Sequence, residues 1–364
     1  MSYKKRLSKF IPHQAKRLLL SSYDWLLHQL MKVCASNRFF AGVYYCFLSR
    51  RFDREHLAVL SGRIAYKKSL GNIGNSSPML RRNIHRLEKG LIMKPLRPIF
   101  AEDYIIETVR FYKQACKKED YSAEELKWAG DVLEEYFSVV KSSTIIDEAR
   151  REYKKQENQG INVLNSRNAK GFRPYPLANS INSNISFDDL LTLFMRRRSV
   201  RWYKDSPVSR ELIKKCINAA SLAPSACNRQ PFRFVSATDP DEAHRIAKCA
   251  GGTGGFADQL PAILVVIGDL SAYPEERDRH LIYIDASLAS MQLMLAAETL
   301  GLSTCPINWP DVKKAEKRLQ KILHLPAYER VIMLIAIGYG EPKGKIPYSQ
   351  KKSDTLMMDD FSTK

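Results

Sequence analysis

Apolar residues in the first part of the chain recur at helical spacing. Between Ala101 and Lys118 they fall on one face of a predicted helix. Ser122 and Glu125 form a capping box, which predicts that a second helix starts there. Gly90, near the end of a segment of mixed charge and apolar residues, suits a helix C-terminus. We therefore expect a mainly helical region, and it contains no catalytic cluster.

The second part of the chain mixes helical and strand patterns. Ser186 and Ser209 are predicted N-caps of two helices. Asp278 to Leu300 predicts a long helix that is apolar on most of its circumference, so it must be buried in a core or against another subunit. Continuous apolar segments predict three strands: Phe232–Ala237, Ala262–Ile267 and Val331–Ile337. Together these patterns predict an α/β arrangement.

A polar segment separates the two parts. Residues 147–158 are almost wholly polar, and residues 160–186 are rich in Asn, Ser, Gly and Pro. This composition disfavours a packed element and is typical of a linker. We predict a basic, mainly helical extension at residues 1–160, a linker at 161–185 and a second domain at 186–364.

The positive charge of the chain is concentrated near its N-terminus. The 364 residues carry a formal net charge of +19. In residues 1–100, 20 Lys and Arg face 4 Asp and Glu, a net charge of +16, which leaves +3 for the other 264 residues. Such a surface attracts anionic lipid, an acidic polymer or nucleic acid. We do not expect nucleic acid, because the basic region shows no recognised nucleic-acid-binding motif.

The N-terminal 48 residues alternate basic and apolar segments. Asp24 and His28 interrupt the apolar run that would follow the basic residues of a signal peptide. The longest apolar stretch, Phe39 to Leu48, is about half of a bilayer span, so we predict no transmembrane helix. Two alternatives remain: a basic amphipathic helix on a membrane surface, or a helix whose Leu/Trp face packs on its own domain. We expect the second.

Cysteine and histidine spacing indicates neither disulfides nor a metal site. The seven cysteines form no C-x-x-C pair, and an odd number in a chain of this length indicates reduced thiols. The seven histidines are scattered and form no H-E-x-x-H motif. We therefore expect a cytoplasmic protein, with peripheral membrane attachment as the alternative, and no bound metal.

Two short segments carry candidate binding chemistry. Arg196 to Arg201 contains five residues suited to a phosphate monoester, because guanidinium groups bind phosphate bidentately and Ser199 adds a hydroxyl donor. The alternative is a solvated basic helix end. Ala223 to Phe232 joins a predicted helix to a strand and concentrates Ser, Asn and Gln, which can bond a ligand edge that bears donors and acceptors. An ordinary loop is the alternative there.

Four segments in this order resemble the FMN-dependent nitroreductase family. They are Arg197–Arg201, Ala223–Pro231, Glu298–Asn308 and Ile337–Gly340. The arginine–serine run and the Pro-Ile-Asn segment look most like the iodotyrosine-deiodinase-like branch. The resemblance covers about residues 186–358. It implies an α+β fold, namely a nitroreductase-like three-layer domain with a central, mostly antiparallel sheet. It also implies an intertwined homodimer with FMN at the interface, which would bury the long apolar helix.

The resemblance implies roles for individual residues. Arg197, Arg198 and Ser199 match the positions that hold the FMN phosphate, and Lys351 and Lys352 match a C-terminal basic pair that reaches it. Arg201 matches the cation near flavin N1 and O2, where hydride arrival at N5 builds negative charge.

Two further groups match the flavin ring and chain. Pro224, Ser225 and Asn228 match the loop along the pyrimidine edge and the ribityl chain. The segment from Thr304 to Asn308, with Pro306 and Ile307, matches the one beside N5. No side-chain acid or base is required, because the cofactor carries the chemistry, so no catalytic residue is predicted.

Departures from the family pattern limit what is carried over. Phe232 stands where a tryptophan is often found. The short run Gly251–Gly255 occupies the region where many relatives carry a longer segment over the substrate. The Glu, Tyr and Lys lid residues of deiodinases are not identifiable, so deiodinase activity is not supported. The glycine run precedes a predicted strand, which indicates a flexible turn and not a dinucleotide fingerprint.

Two functions follow from these patterns. The leading hypothesis is an FMN-dependent oxidoreductase that takes hydride from NAD(P)H and reduces an electron-poor or unsaturated small organic substrate on the same flavin face. The alternative is a silent dimeric scaffold whose basic N-terminal half binds a membrane surface or an anionic polymer. Arg81 to Phe100 resembles segments that precede nitroreductase-like domains in proteins of polysaccharide clusters. A third idea lets the helical extension close over the flavin as a lid.

Overall fold

The chain forms two compact units. A computed structural model describes residues 13–157 and 171–358. The units comprise residues 1–58 and 59–364, so most of the helical extension belongs to the same unit as the C-terminal part. The predicted boundaries at residues 160 and 185 stay a prediction. Residues 161–170 of the predicted linker and the basic residues before His13 lie outside the described part of the chain.

The described part of the first unit is helical, and most of its described apolar side chains are exposed. It contains α1 (His13–Cys34), α2 (Arg38–Val43), a π-helical turn (Tyr44–Ser49) and the start of α3 (Asp53–Ser69). Trp25 is 61% exposed and Phe47 is 77% exposed. The expectation that the Leu/Trp face packs on its own domain is therefore wrong for the described side chains of α1.

Four helices in the second unit build a core of their own. They are α4 (Pro78–Leu91), α5 (Ile105–Cys116), α6 (Ala123–Val139) and α7 (Thr144–Glu157). Ser122 caps α6 as predicted, because its side chain accepts from the Glu125 N–H. The predicted capping box does not form: the Ser122 N–H donates to the Asn75 carbonyl, and the Glu125 carboxylate accepts from Ser76. The interpretation of residues 147–158 as polar linker is wrong. They form most of α7, whose Ile146, Ala149 and Tyr153 are buried in this core.

Gly90 has a packing role and does not end its helix. It lies inside α4, one residue before Leu91, and its φ is not positive. A Cβ at this position would clash with the ring of Phe100. The missing side chain lets the aromatic ring pack directly on the helix backbone.

The C-terminal part has three layers around an antiparallel sheet, as predicted. The strands run in the order β1 (Phe232–Ala237), β2 (Ala262–Asp269), β4 (Glu329–Gly338) and β3 (Ser303–Asn308), and all pairs are antiparallel. The helices of this part are α8 (Phe187–Arg196), α9 (Arg210–Ala220), α10 (Pro240–Ala247), α11 (Leu281–Thr299) and α12 (Lys313–Leu323). Helices α10 and α12 cover one face of the sheet, and α11 with α9 covers the other.

The central helix α11 is only half buried in one chain. Its inner face, which includes Ala286, Ala289 and Leu293, packs under all four strands. Ile284, Leu288 and Met291 form an exposed stripe at i, i+4 and i+7 spacing. Among the described residues, Glu276–Thr299 is the one helix long and apolar enough for a membrane span. Core helices of folded domains have the same composition, so length and hydropathy alone do not show whether this helix lies in a membrane or in a protein core.

Candidate functional site

The arginine segment is attached to the edge of the sheet by backbone pairing. Helix α8 begins with a capping box between Ser186 and Asp189 and ends at Arg196. The chain then forms a parallel bridge between Ser199 and Thr304, and the Val200 N–H donates to the Thr304 carbonyl at 3.0 Å. This pairing brings two segments that lie about a hundred residues apart in sequence, Arg197–Ser199 and β3, side by side.

Basic side chains from two segments line a small cavity of 80 Å³. Arg197, Arg198 and Ser199 lie on one side, and Lys351 in the C-terminal segment lies on the other. Arg198 donates from Nη2 to the carbonyls of Pro347, at 2.6 Å, and Tyr348, which fixes the C-terminal segment against the arginines. No carboxylate lines this cavity in the described part of the chain. Lys352 is exposed and is not among the lining residues.

Two polar atoms at this site are buried without a hydrogen-bond partner. They are Nε of Arg197 and Oγ1 of Thr304, a side chain that is fully buried. Buried polar groups in proteins are nearly always satisfied, so an orphaned donor among cations indicates a place for a bound anion. The cavity volume equals that of two to three waters, at about 30 Å³ each. The residues therefore fit a compact phosphate group.

Arg201 lies beside the same strand. Its Nη1 donates to the Ser199 carbonyl at 3.4 Å, and its guanidinium lies 5.8 Å from the centre of the Phe256 ring. Burial raises the pKa of the Cys305 thiol on β3, and Arg201 and Arg197 partly offset that rise. Both guanidinium groups are thus close enough to β3 for their charge to act there.

The rest of the predicted N5 segment lies on β3 as the edge strand. Ile307 is buried, Pro306 is half-buried and Asn308 is exposed. The sequence patterns predicted no strand here, and Pro306 cannot donate a ladder hydrogen bond. A proline is compatible with an edge strand, where one side needs no N–H donor.

The Pro224–Asn228 loop holds an uncommon backbone conformation. Cys227, Asn228 and Gln230 all have positive φ angles of 49° to 53°, which non-glycine residues adopt rarely. Tertiary contacts must hold such a loop in place. One contact is internal: the Gln230 N–H donates to Ser225 Oγ at 3.1 Å. Two others come from distant parts of the chain.

Arg81 of α4 holds the loop from the helical side. It donates from Nε to the Asn228 carbonyl and from Nη2 to Gln230 Oε1, both at 2.9 Å. Its Nη1 lies 3.1 Å from Glu125, a buried carboxylate that also accepts from Ser76 Oγ. The helical extension therefore positions a segment of the candidate site, although nothing in the sequence links residues 147 positions apart.

Asp285 of α11 holds the loop from the other side. Its Oδ2 accepts from the Ala226 N–H at 3.0 Å and from the Tyr273 hydroxyl at 3.4 Å. Burial raises the pKa of Asp285 above its usual range, and the Ala226 N–H, the Tyr273 hydroxyl and Arg229 partly offset that rise. Asp285 is the one acid in the first four turns of the largely apolar α11, which is a signal in the sequence that such a side chain has a specific partner.

We expect Asp285 to make the stability of the protein depend on pH. Its pKa is higher in the folded than in the unfolded state, so the folded state binds the proton more tightly. Stability is then greatest below the unfolded pKa of about 3.9 and falls as pH rises towards the folded pKa. Asp285→Asn keeps an acceptor for Ala226 but cannot ionise, so the fall should be smaller.

The measurement is the free energy of unfolding from urea titrations across that pH range. Asp205→Asn, at an exposed position, is the matched control and should keep the wild-type pH dependence. An unchanged pH dependence in Asp285→Asn would contradict the prediction.

The predicted residues form two groups that one chain does not bring together. Arg197, Arg198, Ser199, Thr304 and Lys351 gather at the C-terminal end of α11, where Arg196 pairs with Glu298 at 3.0 Å. The Pro224–Asn228 loop contacts Asp285, near the start of α11. Thirteen residues of helix separate Asp285 from Glu298, which is about 20 Å at 1.5 Å per residue.

The comparisons with known proteins identify the family. The nitroreductase family profile matches residues 194–253 and 248–339. A protein of Archaeoglobus fulgidus, provisionally named an NADH dehydrogenase/NAD(P)H nitroreductase, is 31% identical over 158 residues, which cover 43% of this chain and 87% of that protein. The chain belongs to the nitroreductase family. Nitroreductase-family proteins are oxidoreductases that use FMN.

The nitroreductase-family chain is also similar to a curated relative and to a solved structure. Human iodotyrosine deiodinase 1 is 25% identical over 216 residues, which cover 50% of this chain and 72% of that protein. An FMN-dependent nitroreductase structure from Clostridium difficile covers 47% of this chain and 98% of its own, with 28% identity and a TM-score of 0.41. Each of these matches covers half of this chain or less.

Proposed function

We propose that this protein is an FMN-dependent oxidoreductase that works by two half-reactions. The observation that carries the proposal is the cavity of Arg197, Arg198, Ser199 and Lys351, with its orphaned Arg197 Nε beside the unpartnered Thr304 hydroxyl. When bound, FMN would supply hydride transfer from NAD(P)H to an electron-poor or unsaturated organic substrate. Reductant and substrate would use the site in turn.

The protein's own residues would bind and orient the cofactor. Arg197 and Arg198 would hold the phosphate, with Ser199 as a further donor and Lys351 as a compact charge. Arg201 would stabilise negative charge on the ring, because a fixed cation requires no reorganisation when that charge develops. The Thr304 hydroxyl, which is buried without a protein hydrogen-bond partner among the described residues, would be available as a donor to the cofactor.

We further propose that the active form is a homodimer. The exposed stripe Ile284, Leu288 and Met291 gives α11 an apolar face that a second copy can cover. Pairing α11 antiparallel with its copy would reverse the two ends of the helix. The Asn228 loop of one chain would then lie near the Arg197 segment of the other, and both predicted groups would meet at one flavin.

Purification and spectroscopy test the oxidoreductase proposal. We expect flavin absorbance in the purified protein or after addition of FMN, loss of that absorbance with NADH or NADPH under anaerobic conditions, and its return with an electron-poor acceptor. Parallel lines in double-reciprocal plots would indicate the two half-reactions. A protein that binds no FMN after incubation and gel filtration would overturn the proposal.

The first unit favours a second, separate function at a membrane surface. Most of its described apolar and aromatic side chains are exposed, and residues 1–58 carry 11 Lys and Arg against 3 Asp and Glu, a net charge of +8. Exposed aromatic residues next to excess positive charge are suited to an anionic lipid surface. We propose that residues 13–58 bind such a surface. An anionic polymer and a link to polysaccharide biosynthesis remain the alternative.

Replacing Trp25, Phe39 and Phe47 by serine should abolish sedimentation with anionic vesicles. The three rings are exposed, so the substitutions should leave the fold intact while removing the groups that enter the interface. Tyr348→Ser, at an 82% exposed position in the second unit, is the control and should still sediment. Equal sedimentation of all variants, lost only at high salt, would favour a purely electrostatic polymer-like interaction.

A further inference from the structure

A second cavity lies between the helical part and the sheet part of the second unit. Its volume is 390 Å³, within the range of small-molecule sites. It shares no lining residue with the cavity at Arg197–Ser199. Three of its lining residues are arginines, which come from α4, from the loop after α9 and from β1: Arg81, Arg229 and Arg233.

Two of the three arginines are neutralised by carboxylates. Arg81 pairs with Glu125 at 3.1 Å and gives its other N–H groups to Asn228 and Gln230. Arg233 donates from Nε and Nη2 to the two oxygens of Glu329, at 3.0 and 2.7 Å. Neither side chain brings an unbalanced charge to the cavity.

Arg229 has no such partner. It is 7% exposed, its Nε is buried without a hydrogen bond, and no described carboxylate oxygen lies within 4.0 Å of its guanidinium. Its recorded contact is the face of Tyr273, 4.8 Å from the ring centre. Asp285 lies close by, but it accepts from Ala226 and Tyr273. A buried guanidinium without a hydrogen-bonded carboxylate is costly even with Asp285 close by, and a directly bound anion would lower that cost.

We propose that this cavity binds a small organic anion, with its phosphate or carboxylate group held by Arg229. The fork of the guanidinium matches either group bidentately. Phe232 and Phe234, whose rings lie 6.1 Å apart, give the cavity an apolar wall for the rest of the ligand. Arg229 lies between Asn228 and Gln230, so the occupant would bind directly beside the loop that the proposed flavin site uses.

Calorimetric titration of the full chain with inorganic phosphate tests this site. The protein is first saturated with FMN, which fills the proposed phosphate position at Arg197 and Arg198. We expect one remaining phosphate site per chain, and about 10- to 100-fold weaker binding in Arg229→Gln. Arg277→Gln removes the same charge at an exposed position and should bind phosphate like the wild type. Arg229→Lys should retain part of the affinity.

A second readout guards against misfolding and against failure of the flavin proposal. With FMN bound, phosphate should raise the melting temperature of the wild type but not of Arg229→Gln. The melting temperature of Arg229→Gln without phosphate should be at least that of the wild type. If FMN does not bind, the same titration on Arg198→Gln isolates the Arg229 site. Equal phosphate affinity in Arg229→Gln and Arg277→Gln, or a single site lost only with Arg198, would overturn the proposal.

Discussion

Replacing Arg197 and Arg198 together by glutamine is expected to weaken FMN binding about a thousandfold. Each charge-assisted hydrogen bond to a phosphate contributes about 1.5–3 kcal/mol, and each 1.4 kcal/mol is a factor of ten in affinity. Both side chains line the 80 Å³ cavity, and Arg197 has an unused buried Nε. Glutamine keeps some N–H donors but lacks the positive charge and the bidentate geometry of the guanidinium group. Titration of FMN fluorescence measures the change.

The same run of arginines provides the control. Arg196 is adjacent in sequence, but it is mostly exposed and gives its Nε to Glu298 at 3.0 Å. Arg196→Gln should bind FMN nearly as well as the wild type. Riboflavin lacks the phosphate, so its affinity should be similar in all variants. A double variant that loses riboflavin and FMN equally would show that these arginines support the fold and not the phosphate.

The sequence was most informative where a signal is local. The N-caps Ser122, Ser186 and Ser209 each act on a backbone group two or three residues away, and all three form the predicted caps. The long apolar helix was also predictable, because its composition alone excludes a solvated environment. The run Arg197–Ser199 could be selected as a phosphate site because the relevant side chains are consecutive.

Long-range contacts explain what the sequence did not predict. The Arg81 guanidinium donates to the carbonyl of Asn228, which is 147 residues away in sequence. The basic segment around Arg81 does not indicate which of its arginines makes this long-range hydrogen bond. Helix α7 looked like linker because its few buried side chains, such as Ile146 and Tyr153, stand among charged residues. Strand β3 was not predicted, and it contains Pro306, which is compatible with its edge position in the sheet. In each case the partner that decides the structure is far away in sequence.

The role of Arg81 bears on the idea that the helical extension acts as a lid. The extension contacts the Asn228 loop through a hydrogen-bonded fork backed by a buried carboxylate, Glu125. Such a contact is suited to holding a strained loop in one conformation, because breaking it would leave Glu125 uncompensated. The contact therefore indicates that the extension positions the Asn228 loop. A lid that opened in each turnover would have to break this contact.

Replacing Leu288 by glutamate should convert the proposed dimer to monomers and abolish FMN binding. Leu288 stands in the middle of the exposed stripe on α11, between Ile284 and Met291. A glutamate there would be buried without a partner in a dimer, which costs several kcal/mol, but it would be solvated in a monomer. The monomer keeps its fold and its Arg197 cavity but lacks the loop of the second chain, so the cofactor loses half of its contacts.

Sedimentation equilibrium gives the association state, and FMN titration gives the affinity in the same samples. Val312→Glu introduces the same charge at a residue that is 50% exposed, compared with 45% for Leu288, and lies off the stripe. It should remain dimeric and bind FMN.

A Leu288→Glu protein that is monomeric yet binds FMN like the wild type would place the whole flavin site within one chain. A variant that remains dimeric would move the interface away from α11. Only the loss of both dimerisation and FMN binding supports a flavin site shared between two copies. That result would show that FMN affinity depends on the contact made by Ile284, Leu288 and Met291.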